Sequence, residues 1–215
     1  MGSIVSINVG GIREVEFGGR TVQTGIFKNP VAGRRAVRGV NIAGDAQGDR
    51  KVHGGVDKAI YAYAAEDYRW WKDELGVEAG PATFGENLTT FGIDLNNALV
   101  GERWRAGTAL LEVSEPRIPC FKLGIRMEDP GFPHLFSLVA RWGAYLRIIE
   151  EGEVETGDTI ELVSRPDDHT VTVGLVAEVY YGNHARAGEL LAAPQLPASW
   201  SGWAERSLSR NLART

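Results

Sequence analysis

The chain has 215 residues, of which 43% are hydrophobic and 24% are charged, the balance of an ordinary globular protein. Its 23 basic and 28 acidic side chains give a net charge of −5, which argues against a broad surface for nucleic acid or anionic membranes. A single cysteine, Cys120, excludes an internal disulfide, an all-cysteine zinc site and a cysteine-ligated iron–sulfur cluster. Without a long apolar stretch or a secretory signal, we expect a cytoplasmic protein that binds neither membrane nor nucleic acid.

Short strands punctuated by glycine dominate the first two thirds of the sequence. Val5, Ile7 and Val9 occupy alternate positions, the period of a half-buried strand. Further strands are predicted over residues 21–26, 60–64, 109–113 and 160–163, and loop with short strands over residues 28–50. Regularly spaced short strands with turn residues between them are typical of a barrel or a sandwich.

One helix is predicted with clear boundaries, over residues 65–75. Acidic residues lie in its first turn, where negative charge suits the helix dipole, and Gly76 follows its last residue. Tyr68, Trp71 and Leu75 form one apolar stripe at helical spacing. This spacing indicates that the aromatic residues pack in a core rather than stack on a ligand.

The composition changes after Pro166, where glycine becomes rarer and alanine and leucine more common. Three short helices are predicted there: one capped by Thr170 or Thr172, a second over residues 185–193, and a third beginning near Pro197. We therefore expect a mostly β, α+β fold with a small all-α unit at its end. The expected domains are a barrel over residues 1–167 and a three-helix domain over residues 168–215.

A glycine-flanked loop at residues 48–59 is the first candidate site. It contains Arg50, a neighbouring lysine and His53, and the Gly54–Gly55 pair lets backbone approach a ligand closely. The basic side chains are suited to an anionic group. Taken alone, a histidine beside glycines is more often structural.

Lys28 and Asn87 are two further polar candidates, each in a turn next to a predicted strand. Taken alone, Lys28 is typical of a surface lysine. Asn87 is compatible with a left-handed backbone or with donation of its amide to a ligand, and the sequence leaves both open.

Cys120 lies in the segment Ser-Glu-Pro-Arg-Ile-Pro-Cys-Phe-Lys-Leu, which follows a predicted strand. Pro116 and Pro119 stiffen the backbone that presents the thiol. Arg117 and Lys122 are close enough in sequence to lower its pKa and favour the thiolate, the form that ligates metals or attacks electrophiles. An inert, buried cysteine is the alternative.

Together these four segments resemble the MOSC domain family, named for the C-terminal domain of molybdenum-cofactor sulfurases, and within it the YiiM-like subgroup. The similar motifs are the lysine-containing turn, Gly-Asp-Arg-x-x-His-Gly-Gly-x-Asp-x-Ala, Phe-Gly-Glu-Asn-Leu and Pro-Arg-x-Pro-Cys-x-Lys-Leu. The helical tail is also similar, so the resemblance covers nearly the whole chain. It implies a β-barrel with peripheral helices and a molybdenum–molybdopterin cofactor held in a cleft.

The resemblance also implies roles for individual residues. Cys120 would be the thiolate ligand of molybdenum, a chemically reasonable partner for this metal, and a catalytic residue together with His53. Lys28 and Arg50 would bind the phosphate of the pterin. The implied cofactor-binding residues are Lys28, Arg50, His53, Asn87, Arg117 and Cys120.

The function implied by the resemblance is reduction of N-hydroxylated compounds, namely nucleobases, amidoximes and hydroxylamines. The chain has no dinucleotide-binding glycine motif after a strand and too few cysteines for an iron–sulfur cluster, so electrons must come from a separate flavin or iron–sulfur reductase. Two alternatives remain open. One is a carrier that holds the molybdenum cofactor or persulfide sulfur on Cys120. The other is a hydrolase that pairs Cys120 with one of His53, His134, His169 or His184.

Overall fold

The structure, a computed structural model, describes residues 1–48 and 54–212. Its strands are β1 (Gly2–Val9), β2 (Arg13–Phe17), β3 (Arg20–Thr24), β4 (Asn29–Val31), β5 (Arg35–Arg38), β6 (Asn41–Ile42), β7 (Ile60–Ala64), β8 (Leu88–Phe91), β9 (Arg103–Ala106), β10 (Ala109–Pro116), β11 (Ala144–Glu150), β12 (Gly152–Val154) and β13 (Thr159–Ser164). Strands β13, β9, β10, β11, β7, β8 and β1 lie side by side in that order, and β1 pairs back with β13. The result is a closed seven-stranded barrel, which confirms the expected fold class.

Branched aliphatic side chains fill the interior of the barrel. Ile4, Ile7 and Ile60 are buried there with Leu111 and Leu146. In β1 the predicted strand is present, and Ile7 and Val9 face the core as predicted, whereas Val5 is 40% exposed. The reason is a register shift between Ile4 and Ser6 in the pairing of β1 with β8. The bulge breaks the alternation at Val5, so that Ile4 and Ile7 both point inward.

Helices cover the outside of the barrel. They are α1 (Ala65–Leu75), α2 (Phe121–Arg126), α3 (Phe132–Val139), α4 (Val173–Tyr181) and α5 (Ala198–Leu212), with 3₁₀ segments at Val56–Lys58 and His184–Ala192. Helix α1 has the predicted bounds and ends at Gly76 in the left-handed conformation. Tyr68 and Trp71 pack in an aromatic cluster with Tyr63 of β7, whereas Leu75 is 44% exposed. The predicted stripe is therefore buried only as far as Trp71.

Two helices between residues 121 and 139 were not expected from the sequence. Helix α2 has six residues, and α3 is an eight-residue apolar run that periodicity alone cannot distinguish from a strand. The strand before them is longer than the predicted range of residues 109–113. Strand β10 continues through Glu115 to Pro116. All of β10 is buried, so Glu115 belongs to the barrel wall rather than to a loop.

The three C-terminal helical segments lie where the sequence predicts them. The Thr172 hydroxyl accepts a hydrogen bond from the Leu175 N–H at 3.0 Å and caps α4. Their apolar side chains form one cluster with Val100 and Ile118 of the barrel unit. None of the helices within the described ranges is long and apolar enough to cross a membrane. The division into domains at residue 167 stays a prediction.

Candidate active site

Cys120 lies half-buried where two cavities meet. It follows β10 and is the N-terminal capping residue of α2, with extended backbone. Each cavity is lined by a different set of side chains, and both sets include Cys120. The other shared residues are Lys58, Ile118 and Tyr145. The thiol-bearing residue therefore borders two separate spaces.

The first space, here called the basic cleft, is a cavity of about 100 Å³ beside the outer faces of β7 and β11. Its walls are the loop segments 24–28, 45–48, 84–87 and 117–122. Among the described residues, four cations line it against one carboxylate, that of Asp45. These cations are Lys28, Lys58, Arg117 and Lys122. The balance of charge favours an anionic occupant.

Arg117 is the buried cation of the basic cleft that is least satisfied by the protein. Its side chain is only 5% exposed, and its guanidinium lies over the rings of Tyr61 and Phe136 at 5.7 and 5.3 Å from their centroids. Its Nη1 atom has no hydrogen-bond partner among the described residues. A buried donor left unpaired costs about 1–3 kcal/mol, and more when it is charged. The arrangement suits a ligand that brings an acceptor to this atom.

Lys28 has a protein partner instead. The residue is buried rather than on the surface, and its ammonium forms an ion pair with the Asp45 carboxylate. Burial lowers the pKa of Lys28, and the Asp45 carboxylate opposes that shift. Asp45 also accepts the Gly10 N–H at 2.9 Å. Lys28 lines the cleft, but its charge is already balanced.

Asn87 forms side-chain hydrogen bonds and does not adopt a left-handed backbone conformation. Its side-chain oxygen accepts the Tyr61 N–H at 3.1 Å, and its amide nitrogen donates to Asp45 at 2.9 Å. The left-handed conformation in this turn belongs to Gly85, with φ of +80°. Asn87 lines the basic cleft, yet its amide is committed to the protein. It therefore fixes Asp45 and, through Asp45, Lys28.

The second space, here called the aromatic cavity, has a volume of about 450 Å³ between the barrel and α5. Its aromatic walls are Tyr145, Tyr180, Trp200 and Trp203. Glu115 also lines it, and the Trp200 indole N–H donates to the Glu115 carboxylate. Burial raises the pKa of Glu115, and the nearby Lys58 ammonium opposes the shift.

Tyr145 connects the two spaces and keeps its proton across the ordinary pH range. Burial raises the pKa of Tyr145 to about 12, although Arg117 opposes the shift. The Cys120 side chain interacts electrostatically with the same phenol. A protonated hydroxyl at the junction can donate a hydrogen bond to a ligand in either cavity.

The structure thus brings four predicted site residues to one cleft: Lys28, Asn87, Arg117 and Cys120. Arg50 and His53 lie outside the described residues. His134, His169 and His184 line neither cavity. Sequence reasoning did not assign several polar lining residues to the site. Lys58 lies within the glycine-flanked motif and Glu115 directly before Pro-Arg, whereas Asp45 and Tyr145 have no local signal.

The fold and the site define a β-barrel protein with a cysteine at the mouth of a cationic cleft. The model of the MOSC domain matches residues 49–161, and the chain belongs to this family, as the sequence motifs predicted. The family is associated in general with binding of the molybdenum cofactor.

Three similar proteins place the chain more narrowly. Protein YiiM of Escherichia coli is 35% identical over 181 residues, which cover 82% of this chain and 80% of that one. A protein of Gibberella moniliformis named "Reductase" is 31% identical over 169 residues, 77% of this chain but 30% of its own length. The crystal structure of YiiM from Geobacillus stearothermophilus superposes with a TM-score of 0.78 at 32% identity, covering 97% of this chain and all of that one. The similarity to YiiM-like proteins is therefore confirmed.

Proposed function

We propose that this protein is an oxidoreductase that holds the molybdenum cofactor in the basic cleft and reduces N-hydroxylated compounds. Membership of the MOSC family and similarity to a protein named a reductase support this class of activity. The observation that carries the proposal is the position of Cys120 between a cationic cleft and a separate aromatic cavity. One space suits an anionic cofactor, and the other suits a substrate.

The residues of the basic cleft fit a molybdenum–pterin group with a phosphate. The Cys120 thiolate is a soft ligand suited to the metal. The unpaired Nη1 of Arg117 would receive a phosphate oxygen, with Lys58 and Lys122 adding positive charge. Lys28 would contribute less, since Asp45 already neutralises it. Arg50 and His53 remain proposed contacts from the motif that precedes β7.

When bound, the cofactor would supply two-electron redox chemistry, while the protein supplies binding and orientation. The overall reaction is R–NHOH + 2 electrons + 2 protons → R–NH₂ + H₂O, so the N–O bond breaks and the oxygen leaves as water. The Tyr145 hydroxyl lies at the junction of the two spaces and keeps its proton. We assign it to donate a hydrogen bond to the N–OH oxygen.

The electrons would come from a separate flavin or iron–sulfur reductase. The single cysteine is assigned to the metal, and one cysteine cannot hold an iron–sulfur cluster. The sequence also offers no dinucleotide-binding glycine motif after a strand. Two-electron turnover therefore requires a partner or an artificial donor.

A cofactor or sulfur carrier would need the basic cleft and Cys120 but not a second cavity. The aromatic cavity at the same cysteine favours an enzyme over a carrier. A cysteine hydrolase would need a histidine beside Cys120, and three of its four candidates lie elsewhere: His134, His169 and His184.

The proposal is tested by turnover with an artificial donor. The full-length protein is purified from a host that makes molybdenum cofactor, reduced with dithionite, and supplied with benzamidoxime; benzamidine is then quantified. We expect product from the wild-type protein, and none from Cys120→Ser or from protein made in a host lacking the cofactor. Product formed equally by the cofactor-free protein, or none by a molybdenum-loaded wild type, would overturn the proposal.

A further inference from the structure

We infer that the aromatic cavity is the substrate pocket and that it selects N-hydroxylated compounds with a flat aromatic ring over aliphatic ones. The inference rests on the proposed function and adds to it the residues that recognise the substrate. They lie on the C-terminal helices and on β10.

The walls of the cavity present aromatic faces and edges at angles that suit a flat ring. Tyr180 meets Trp200 at 5.3 Å between centroids and an angle of 78°, and meets Trp203 at 5.4 Å and 53°. Trp200 is buried and anchored through its indole N–H to Glu115. Trp203 is only partly buried and has no such anchor among the described contacts. Trp203 is thus the ring with free surface for a ligand to stack upon.

Glu115 is the carboxylate among the described residues of this pocket, which Lys58 and Arg206 also line. It is 3% exposed, and one of its oxygens lies 3.7 Å from the Lys58 ammonium. Each carboxylate oxygen can accept two hydrogen bonds, so the contacts with Trp200 and Lys58 leave acceptor capacity. A buried acceptor of this kind favours a ligand that carries N–H donors beside the ring. An aromatic amidoxime has both the ring and the N–H₂ group.

The position of the cavity sets the orientation of such a ligand. Cys120 and Tyr145 line both spaces, whereas Trp203 lines only the aromatic cavity. A ring against Trp203 therefore directs its N–OH group toward Cys120 and the mouth of the basic cleft. The cavity volume of about 450 Å³ is ample for a ring with one substituent.

The test measures binding without turnover, so it does not depend on redox activity. Calorimetry on the cofactor-free, full-length protein compares benzamidoxime with acetamidoxime, which has the same N–OH and N–H₂ groups but no ring. We expect benzamidoxime to bind about tenfold more tightly, since ring contacts and buried area together are worth about 1.4 kcal/mol or more. Equal affinities in the wild-type protein would overturn the inference.

Substitutions of Trp203 test whether this residue gives the preference for an aromatic ring. Trp203→Leu should reduce the preference for the ring to about threefold or less, and Trp203→Phe, which keeps an aromatic face, should retain most of it. Tyr181→Leu is the matched control, because Tyr181 is an exposed aromatic residue that lines neither cavity. If Trp203→Leu is unfolded by circular dichroism, Trp203→Met, a second variant without an aromatic face, takes its place. A preference for the ring in this variant as large as that in Tyr181→Leu would contradict the assignment.

The role of Glu115 is tested with Glu115→Gln, which preserves the shape of the side chain and its acceptance of the Trp200 N–H. Benzaldoxime, which lacks the N–H₂ group, is the matched ligand. The preference of the wild type for benzamidoxime over benzaldoxime should shrink several-fold in the variant. An unchanged preference would show that Glu115 does not accept a hydrogen bond from the ligand. Selective binding without any turnover would instead refute the proposed function while leaving a ring-selective site.

Discussion

Two buried cations face the basic cleft, and they differ in what neutralises them. Lys28 pairs with Asp45, while Nη1 of Arg117 has no partner within the described residues. An uncompensated buried charge is costly, so the protein retains Arg117 at some cost in stability. We take this as the clearest sign of an anionic ligand.

Arg117→Gln should lower cofactor retention. A charge-assisted hydrogen bond to phosphate is worth about 1.5–3 kcal/mol, so affinity should fall about 10- to 100-fold. The loss of cofactor is measured as the molybdenum that stays bound to the protein after gel filtration at increasing dilution. Arg69→Gln is the control, because Arg69 is exposed on α1 and lines neither cavity. Equal retention in the two variants would remove Arg117 from the cofactor site.

Lys28→Met should lower the free energy of unfolding and not only the retention of the cofactor. Removing one partner of a buried ion pair costs about 3–5 kcal/mol, because the Asp45 carboxylate is left buried without its cation. Adding Asp45→Asn should restore more than half of the lost free energy of unfolding, measured by urea denaturation. If the two losses simply add, the pair is not coupled as the structure indicates.

Loops between neighbouring strands, rather than the strands themselves, form the basic cleft. The loop at residues 84–87 leads from α1 into β8 and lines the same cleft as residues 24–28, which begin at the last residue of β3. The close approach of these loops depends on Gly85. Its φ is +80°, and a Cβ there would lie 2.7 Å from the Ile26 side chain.

Gly85→Ala should therefore cost more than an ordinary glycine substitution at positive φ. Gly33 is the matched control, with φ of +76° and open space around its Cα. Gly33→Ala should lose about 1 kcal/mol through backbone strain, and Gly85→Ala about 1–3 kcal/mol more because Ile26 must move. Urea denaturation measures both. Equal losses would mean that the two loops adjust freely.

Local periodicity accounts for the elements that the sequence predicted well. Helix α1 and strand β7 carry their apolar residues at the expected spacing, and Thr172 caps α4 as predicted. The short helices α2 and α3 were missed because six or eight residues give too little periodicity. The exposed face of Val5 was also missed, since a bulge is a property of the strand pair.

The site was predictable in part, through motifs, and its remainder depends on long-range contacts. The motifs identified Arg117 and Cys120, which line the same cleft. They did not identify the partner of Lys28, 17 residues away, or the contact of Glu115 with Trp200, 85 residues away. Such pairs arise only when the barrel closes and the C-terminal helices pack on it.

At the scale of the whole molecule, loops of the barrel and the C-terminal helices meet at one cysteine. Loops of the barrel supply the basic cleft, and α4 and α5 supply part of the aromatic cavity. The apolar cluster that joins these helices to Val100 and Ile118 holds the second space in place. Cofactor binding and substrate recognition are thus assigned to different parts of the chain, with Cys120 between them.

Molybdenum-edge X-ray absorption of the loaded protein tests the central claim, that Cys120 holds the metal of a cofactor seated in the basic cleft. The wild-type protein, purified from a host that makes the cofactor, should contain molybdenum with one more sulfur ligand than Cys120→Ser. The serine variant should keep its fold by circular dichroism, because a half-buried thiol at a helix start contributes little packing. The same number of sulfur ligands in both proteins, or a wild type without molybdenum or pterin, would contradict the account.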